Sequence, residues 1–225
     1  MALIPPVVNP QPMMTIRKFT SRDFTIDDLI EQKMLTAEQA QQLASAIRRG
    51  DKILISGGTG AGKTTLINVI ASFIPDSDRI LILEDVAELY IKKPHVISAE
   101  AQLDTHKSPI GFSDLLKAAL RHRPDRIIVG EIRGPEARVF LDALNTGHRG
   151  SLSTIHANNA GDAVRRLAQL AMRGSGIVPL SNIEEECRRS IDLIAHVMND
   201  DGWRHITEIQ TVTSAQPVIR KELVD

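Results

Sequence analysis

The sequence predicts an α/β fold with a mostly parallel sheet and an antiparallel hairpin at one edge. Three observations carry that expectation. Short apolar runs at 52–56, 80–83, 127–129 and 151–156 alternate with stretches of helical spacing. The first run leads into a glycine-rich loop, Gly57-Gly58-Thr59-Gly60-Ala61-Gly62-Lys63-Thr64, with a helical pattern after it. Near the C-terminus, runs at 193–197 and 203–212 flank Asp200-Asp201-Gly202, a turn signal for a hairpin.

From the N-terminus, residues 1–12 are apolar but interrupted by Pro5, Pro6, Pro10 and Pro12, and they lack a basic stretch. They read as an extended segment and not as a signal peptide. Residues 13–19 fit an edge strand. Leu29, Ile30, Leu35, Leu43 and Ile47 fall on helical spacing. Thr36 and Gln39 form a capping box that opens the second of two short helices, and Gly50 ends it. After the strand at 52–56, a helix runs over 63–73 until Pro75. The run 80–83 ends in Glu84-Asp85. A helix over 113–122 presents Leu115, Leu116, Ala119 and Leu120, and Pro124 breaks it. The strand at 127–129 ends in Gly130-Glu131. Helix 135–145, strand 151–156 and helix 161–172 follow. The last dozen residues are polar and expected to fray.

The chain has 225 residues, enough for a full core, and only 3% of them are aromatic, so that core must be aliphatic. Twenty-seven basic residues against twenty-eight acidic ones leave no bulk charge for non-specific nucleic-acid binding. The single cysteine, Cys187, excludes an internal disulfide or a cysteine-based zinc site and reads as a small buried hydrophobe in a reducing compartment. No apolar run is long enough to cross a bilayer, so work at a membrane would be peripheral.

The loop at 57–64 fits G-x-x-x-x-G-K-[ST] at every fixed position, in the strand–loop–helix context that the motif requires. Its backbone amides and the helix N-terminus suit phosphate. Lys63 is placed to reach β/γ-phosphates and the Thr64 hydroxyl to ligate Mg²⁺, so ATP and Mg²⁺ are the expected ligands. Gly58, Thr59, Gly60, Ala61, Gly62 and Thr65 complete the cradle. Two strand ends add carboxylates, Glu84 with Asp85 and Glu131, at the sheet edge where ligands bind in open α/β sheets. One carboxylate would activate water and the other would hydrogen-bond a Mg²⁺-bound water. His148 and His156 bracket an apolar step, and either could sense the γ-phosphate.

Four motifs resemble, in order, those of the type II/IV secretion and conjugation traffic ATPases: 57–65, the acidic box Ile-Leu-Glu-Asp-Val-Ala-Glu-Leu at 82–89, Arg-His-Arg-Pro-Asp-Arg-Ile-Ile-Val-Gly-Glu-Ile-Arg-Gly at 121–134, and Asn-Thr-Gly-His-Arg-Gly-Ser-Leu-Ser-Thr-Ile-His-Ala-Asn at 145–158. The wording is nearest to the conjugative-transfer and tight-adherence-pilus branches. The resemblance implies a RecA-like ATPase domain at 51–212, preceded by the tail of a truncated N-terminal domain at 1–20 and a helical linker at 21–50. A tail occupies 213–225. It implies Glu84 as general base, with Glu88 a weaker claimant, and Glu131 near Mg²⁺. His148 or His156 would couple the γ-phosphate to movement, and Arg17 would reach phosphate from the N-terminal segment. Arg121, Arg123 and Arg133 are candidates for contacts across a subunit interface. The implied partners are further copies in a homohexameric ring and the inner-membrane secretion or pilus machinery, with the protein in the cytoplasm at that membrane. One departure is that Glu100, Gln102 and Asp104 stand where relatives often carry arginine.

The enzyme reading, ATP hydrolysis driving domain motion, stands beside two alternatives. One is a nucleic-acid motor, against which balanced charge and few aromatics for base stacking argue, so direct nucleic-acid binding is not expected. The other is an ATP-binding module inactive without its N-terminal domain. No Asn-Lys-x-Asp for guanine and no Leu-Ser-Gly-Gly-Gln transporter signature occurs, and one cysteine excludes the tetracysteine insertion of type II motors.

Overall fold

The computed structural model describes residues 2–16, 23–102 and 110–212. Strands β3 (Ile53–Gly57), β4 (Ile80–Glu84), β5 (Val96–Glu100), β6 (Arg126–Ile132), β7 (Leu152–Ile155), β8 (Leu193–Asp200) and β9 (Trp203–Thr211) form one sheet in the order β5-β4-β6-β7-β3-β8-β9. The first six are parallel, and β9 returns antiparallel to β8 at the edge. Asp201 and Gly202 both take positive φ in the connecting turn, which is what a tight hairpin of matching twist requires.

The apolar runs are continuous because both sheet faces are covered. Alternate residues nonetheless go to opposite cores. Leu54, Leu81, Leu83, Ile127 and Val129 pack with α4 (Phe112–Arg121), α5 (Glu136–Asn145), α6 (Ala160–Met172) and α7 (Leu180–Ser190). Ile53, Ile55, Ile80, Ile82 and Ile128 pack on the other face with α1 (Ile26–Glu31), α2 (Ala37–Arg49) and α3 (Lys63–Ile70). The aliphatic core that the composition required is therefore two layers thick, one on each side of the sheet. Cys187 lies fully buried in the first, where burial pushes its thiol up to about 12.

Thr36 accepts from the Gln39 amide while Gln39 Oε1 accepts from the Thr36 amide, and Gly50 closes α2 in the left-handed conformation. The sequence-predicted cap is thus observed at both ends. Four elements differ from expectation. Residues 2–14 do not simply extend: β1 (Ala2–Leu3) pairs antiparallel with β2 (Met13–Met14), so the proline-rich stretch doubles back. Of the strand expected at 13–19, only Met13–Met14 is strand, and 17–19 lie outside the described residues. Strand β5 leaves no apolar run in the sequence, because it is an edge strand with no buried position. Helix α7 carries no apolar stripe in the sequence, because only Ile183 and Cys187 among its apolar residues are buried. An Arg138 Nη1 donation to Glu186 Oε2 at 2.7 Å ties α7 to α5 instead.

Candidate nucleotide site

Strand polarity brings the C-terminal ends of β3, β4, β6 and β7 to one rim. There a cleft of about 1200 Å³ is lined by the loop 59–65, Glu84, Asp85, Glu88, Gly130, Glu131, Arg133, Thr154 and His156. Met14, Ile16 and Phe24 add an apolar side wall, and Arg204 closes the hairpin side.

The buried lysine Lys63 donates from Nζ to Gly57 O at 3.0 Å and Gly58 O at 2.8 Å, holding the loop as a closed ring. Burial lowers its pKa, while the charge of Glu131 opposes that shift. A lysine folded onto neutral carbonyls in a desolvated site is poised to exchange them for an anion.

Glu84 is 95% shielded, with a relative exposure of 5%. Its Oε1 accepts from the amides of Glu88 and Leu89, each at 3.0 Å, and so folds 85–89 back across the end of β4. Burial raises its pKa, the two amides pull the other way, and Glu88 and Glu100 add to the rise. Gly130 makes the burial feasible, since a Cβ there would lie 2.9 Å from Glu84 Cγ.

Glu131 stands inside β6, not at its end, beside a register shift between Val129 and Ile132 that turns it into the cleft. Thr154 Oγ1 donates to Gly130 O at 2.7 Å and fixes that bend. Glu131 Oε2 accepts from Arg133 Nη2 at 2.7 Å. His156 Nε2 lies 2.8 Å from Glu131 Oε1, yet that buried oxygen has no hydrogen-bond partner among the described residues. The imidazole is close but out of line, and a carboxylate oxygen orphaned in this way suits a metal-bound water. No trio of His, Cys, Asp or Glu among the described residues could hold a metal alone. A divalent ion would therefore lean on Thr64, phosphate oxygens and water, which fits a hard cation that keeps its waters. Burial and the nearby Lys63 charge lower the pKa of His156, so it is neutral at pH 7.

The structure does not bring His148 to this cleft. It precedes β7, where its Nδ1 lies 3.1 Å from Ala143 O, whereas His156 follows β7. The strand's rise of about 3.3 Å per residue separates the two histidines by the height of the sheet. Arg121 and Arg123 also lie toward the N-terminal end of β6, at the opposite rim, while Arg133 sits in the cleft of its own chain. Arg17 lies outside the described residues. Thr154, the apolar wall and Arg204 received no role from the sequence. Thr154 stood inside a recognised motif, but Arg204 carries no motif at all.

A family profile described as Type II/IV secretion system protein matches residues 1–213. The chain is similar to conjugal transfer protein TrbB of Rhizobium radiobacter, 41% identical over 92% of this chain and 62% of TrbB. It is also 32% identical to type IV secretion system protein VirB11 of Bartonella quintana, over 92% of this chain and 68% of that protein. The crystal structure of the VirB11 ATPase from the Brucella suis type IV secretion system superposes with a TM-score of 0.69 at 28% identity, covering 87% of this chain and 66% of that one. The sheet and its P-loop accordingly form a RecA-like P-loop NTPase fold.

Proposed function

The chain belongs to the type II/IV secretion ATPase family, and on that premise we propose that it binds MgATP in this cleft and hydrolyses it as the motor domain of a secretion, conjugation or pilus-assembly system. The observation that carries the reading is the convergence of Lys63, Glu84, Glu131, Thr154 and His156 at one rim beside a closed phosphate loop. The chain spans 62% of the length of its TrbB relative, so the activity of the whole protein is part of the proposal.

In this reading the amides of 58–65 and Lys63 bind the triphosphate, Lys63 releasing the carbonyls it holds now. Glu84, fixed through Oε1 and raised in pKa by burial, accepts the proton of the attacking water on its other oxygen. Water adds to the γ-phosphorus as the bond to the ADP oxygen breaks, giving ADP and inorganic phosphate. Mg²⁺, when bound, neutralises the developing charge on the phosphate oxygens. Glu131 and the Thr64 hydroxyl face that region and would hold it with its waters. Glu88 lines the same wall and is the second candidate for the base. Neutral His156, 2.8 Å from Glu131 in the same cleft, would register the γ-phosphate. Further copies in a homohexameric ring and inner-membrane machinery at the cytoplasmic face are the proposed partners. No helix among the described residues is long and apolar enough to cross a membrane.

The test is phosphate release from MgATP by the chain and by Lys63→Ala and Glu84→Gln, each with and without single-stranded DNA. Turnover lost in both variants, with nucleotide binding kept in Glu84→Gln and no response to DNA, is expected. Strong stimulation by DNA would replace the reading with a nucleic-acid motor. Binding without turnover in every sample would assign the chain to an ATP-holding module.

A further inference from the structure

The edge hairpin reaches the phosphate loop directly. Arg204, on β9, donates from Nε to Gly60 O at 2.8 Å, and Asn199, on β8, lies 3.5 Å from the same oxygen through Nδ2. Gly60 takes φ +72° and Gly62 φ +100°, which turns the Gly60 carbonyl to the hairpin, while the Ala61 N–H makes only a long contact, 3.4 Å, to Gly58 O. The peptide whose oxygen Arg204 holds carries the Ala61 N–H on its other end. A cation on the carbonyl polarises that peptide and strengthens the N–H as a donor to phosphate. Gly62 is wedged between Arg204 and Met34: a Cβ there would meet Met34 Cε at 3.1 Å and Arg204 Cδ at 3.2 Å.

The hairpin is anchored at its other side to the turn between α1 and α2. Trp203 Nε1 donates to Lys33 O at 3.3 Å, the Ile206 amide to Met34 O at 2.7 Å, and Gln39 Nε2 to Ile206 O at 3.3 Å. Trp203 also stacks on His205, with ring centroids 3.9 Å apart and planes 14° apart. Residues 199–206 therefore touch the loop that would hold phosphate and the helical unit next to it.

Resting on the nucleotide-binding reading above, we propose that Arg204 is a positioning residue that preorganises the phosphate loop from the hairpin side of the cleft and links its occupancy to the turn at 33–34 through Trp203. Phosphate entering the loop pulls the 60–61 peptide inward, Arg204 follows its carbonyl, and the adjoining indole changes environment. Trp203 is the only tryptophan in the sequence, so its emission reports this motion without interference.

The experiment titrates ADP and a non-hydrolysable ATP analogue into the purified full chain, by calorimetry and by tryptophan emission. In the wild type the emission should change and saturate with the calorimetric Kd. Arg204→Gln should weaken binding about tenfold, the loss of one charge-assisted hydrogen bond, and should bind without the emission change. Arg204→Lys should recover part of the affinity. In phosphate-release assays the KM should rise about as much as the Kd while kcat stays within about twofold, a split that general loosening of the fold would not give. A wild type that binds ADP with silent tryptophan emission overturns the proposal, as does unchanged affinity in Arg204→Gln. A wild type that binds no nucleotide overturns the nucleotide reading and this proposal together.

Discussion

Placing a methyl group at Gly130 should strike the proposed base without touching the phosphate loop. The new Cβ would lie 2.9 Å from Glu84 Cγ and 3.2 Å from its Oε1, well inside the 3.5–4.0 Å of a relaxed contact. Glu84 is nearly enclosed and open only toward the cleft, so the displaced side chain must leave the amides of Glu88 and Leu89. Hydrogen bonds to a charged acceptor contribute about 1.5–3 kcal/mol each. Water from the open cleft replaces part of both, so Gly130→Ala should cost roughly 2–4 kcal/mol. In a domain of this size that corresponds to a fall of about 4–16 °C in Tm. Phosphate release should drop with it, while ADP affinity stays close to wild type because the loop 57–65 is not displaced. Urea denaturation and calorimetry on Gly130→Ala, Glu84→Ala and the double variant supply the decisive comparison. If the damage travels through Glu84, adding Gly130→Ala to Glu84→Ala should cost little more, a coupling well above the roughly 0.5 kcal/mol scatter of independent sites. Additive losses, or a Gly130→Ala chain that melts with the wild type, would refute the packing argument.

Two further outcomes follow from buried polar groups. His196 is buried with Nδ1 2.8 Å from Ser56 Oγ, and burial lowers its pKa from 6.5 while Glu208 opposes and Lys63 reinforces the shift. The unfolded chain thus binds the extra proton first. Stability should fall as pH drops below about 6.5, and His196→Gln should flatten that part of a stability–pH curve measured in urea. Arg126, buried, pairs with Asp78 at 2.6 Å and donates to Ile47 O at 2.9 Å, so Asp78→Ala, which strands the guanidinium, should cost about 3–5 kcal/mol by urea denaturation.

The legible parts of the fold were those whose cause is local. A strand buried on both faces shows as Ile80-Leu81-Ile82-Leu83 whatever its neighbours, and the Thr36–Gln39 box announces a helix start within four residues. The phosphate loop was readable for the same reason, since strand, glycines, lysine and helix are contiguous. Strand β5 and helix α7 were not, because β5 is an edge strand with no buried position to mark it and α7 is held to α5 by Arg138, far away in sequence. His148 and His156 looked like one cluster because they are eight positions apart, but a strand lies between them and sends them to opposite rims. Arg204 illustrates the converse. Nothing within ten residues of it suggests phosphate chemistry, and only the placement of β8 beside β3 carries the hairpin to Gly60.

The charges around the cleft explain why the acidic residues do not contradict an anionic ligand. Glu84, Asp85, Glu88 and Glu131 face Lys63, Arg133 and Arg204 across it, so a triphosphate entering alone would meet more carboxylates than cations. Arg133 now balances two of those acids, 2.7 Å from Glu131 and 3.5 Å from Asp85. It is also exposed, with 61% of its side chain accessible, and an exposed pair contributes about 1 kcal/mol or less. Such a contact is easily exchanged. The less exposed acids adjust less easily: Glu84 is locked by two amides, and Glu131 keeps one oxygen without a donor among the described residues. Under the proposed function, a site with two held acids, an orphaned oxygen and a displaceable arginine would be complementary to polyphosphate arriving with its own divalent countercharge. It would be poorly matched to a bare anion, and on that reading the carboxylates and the phosphate loop would act as a single site.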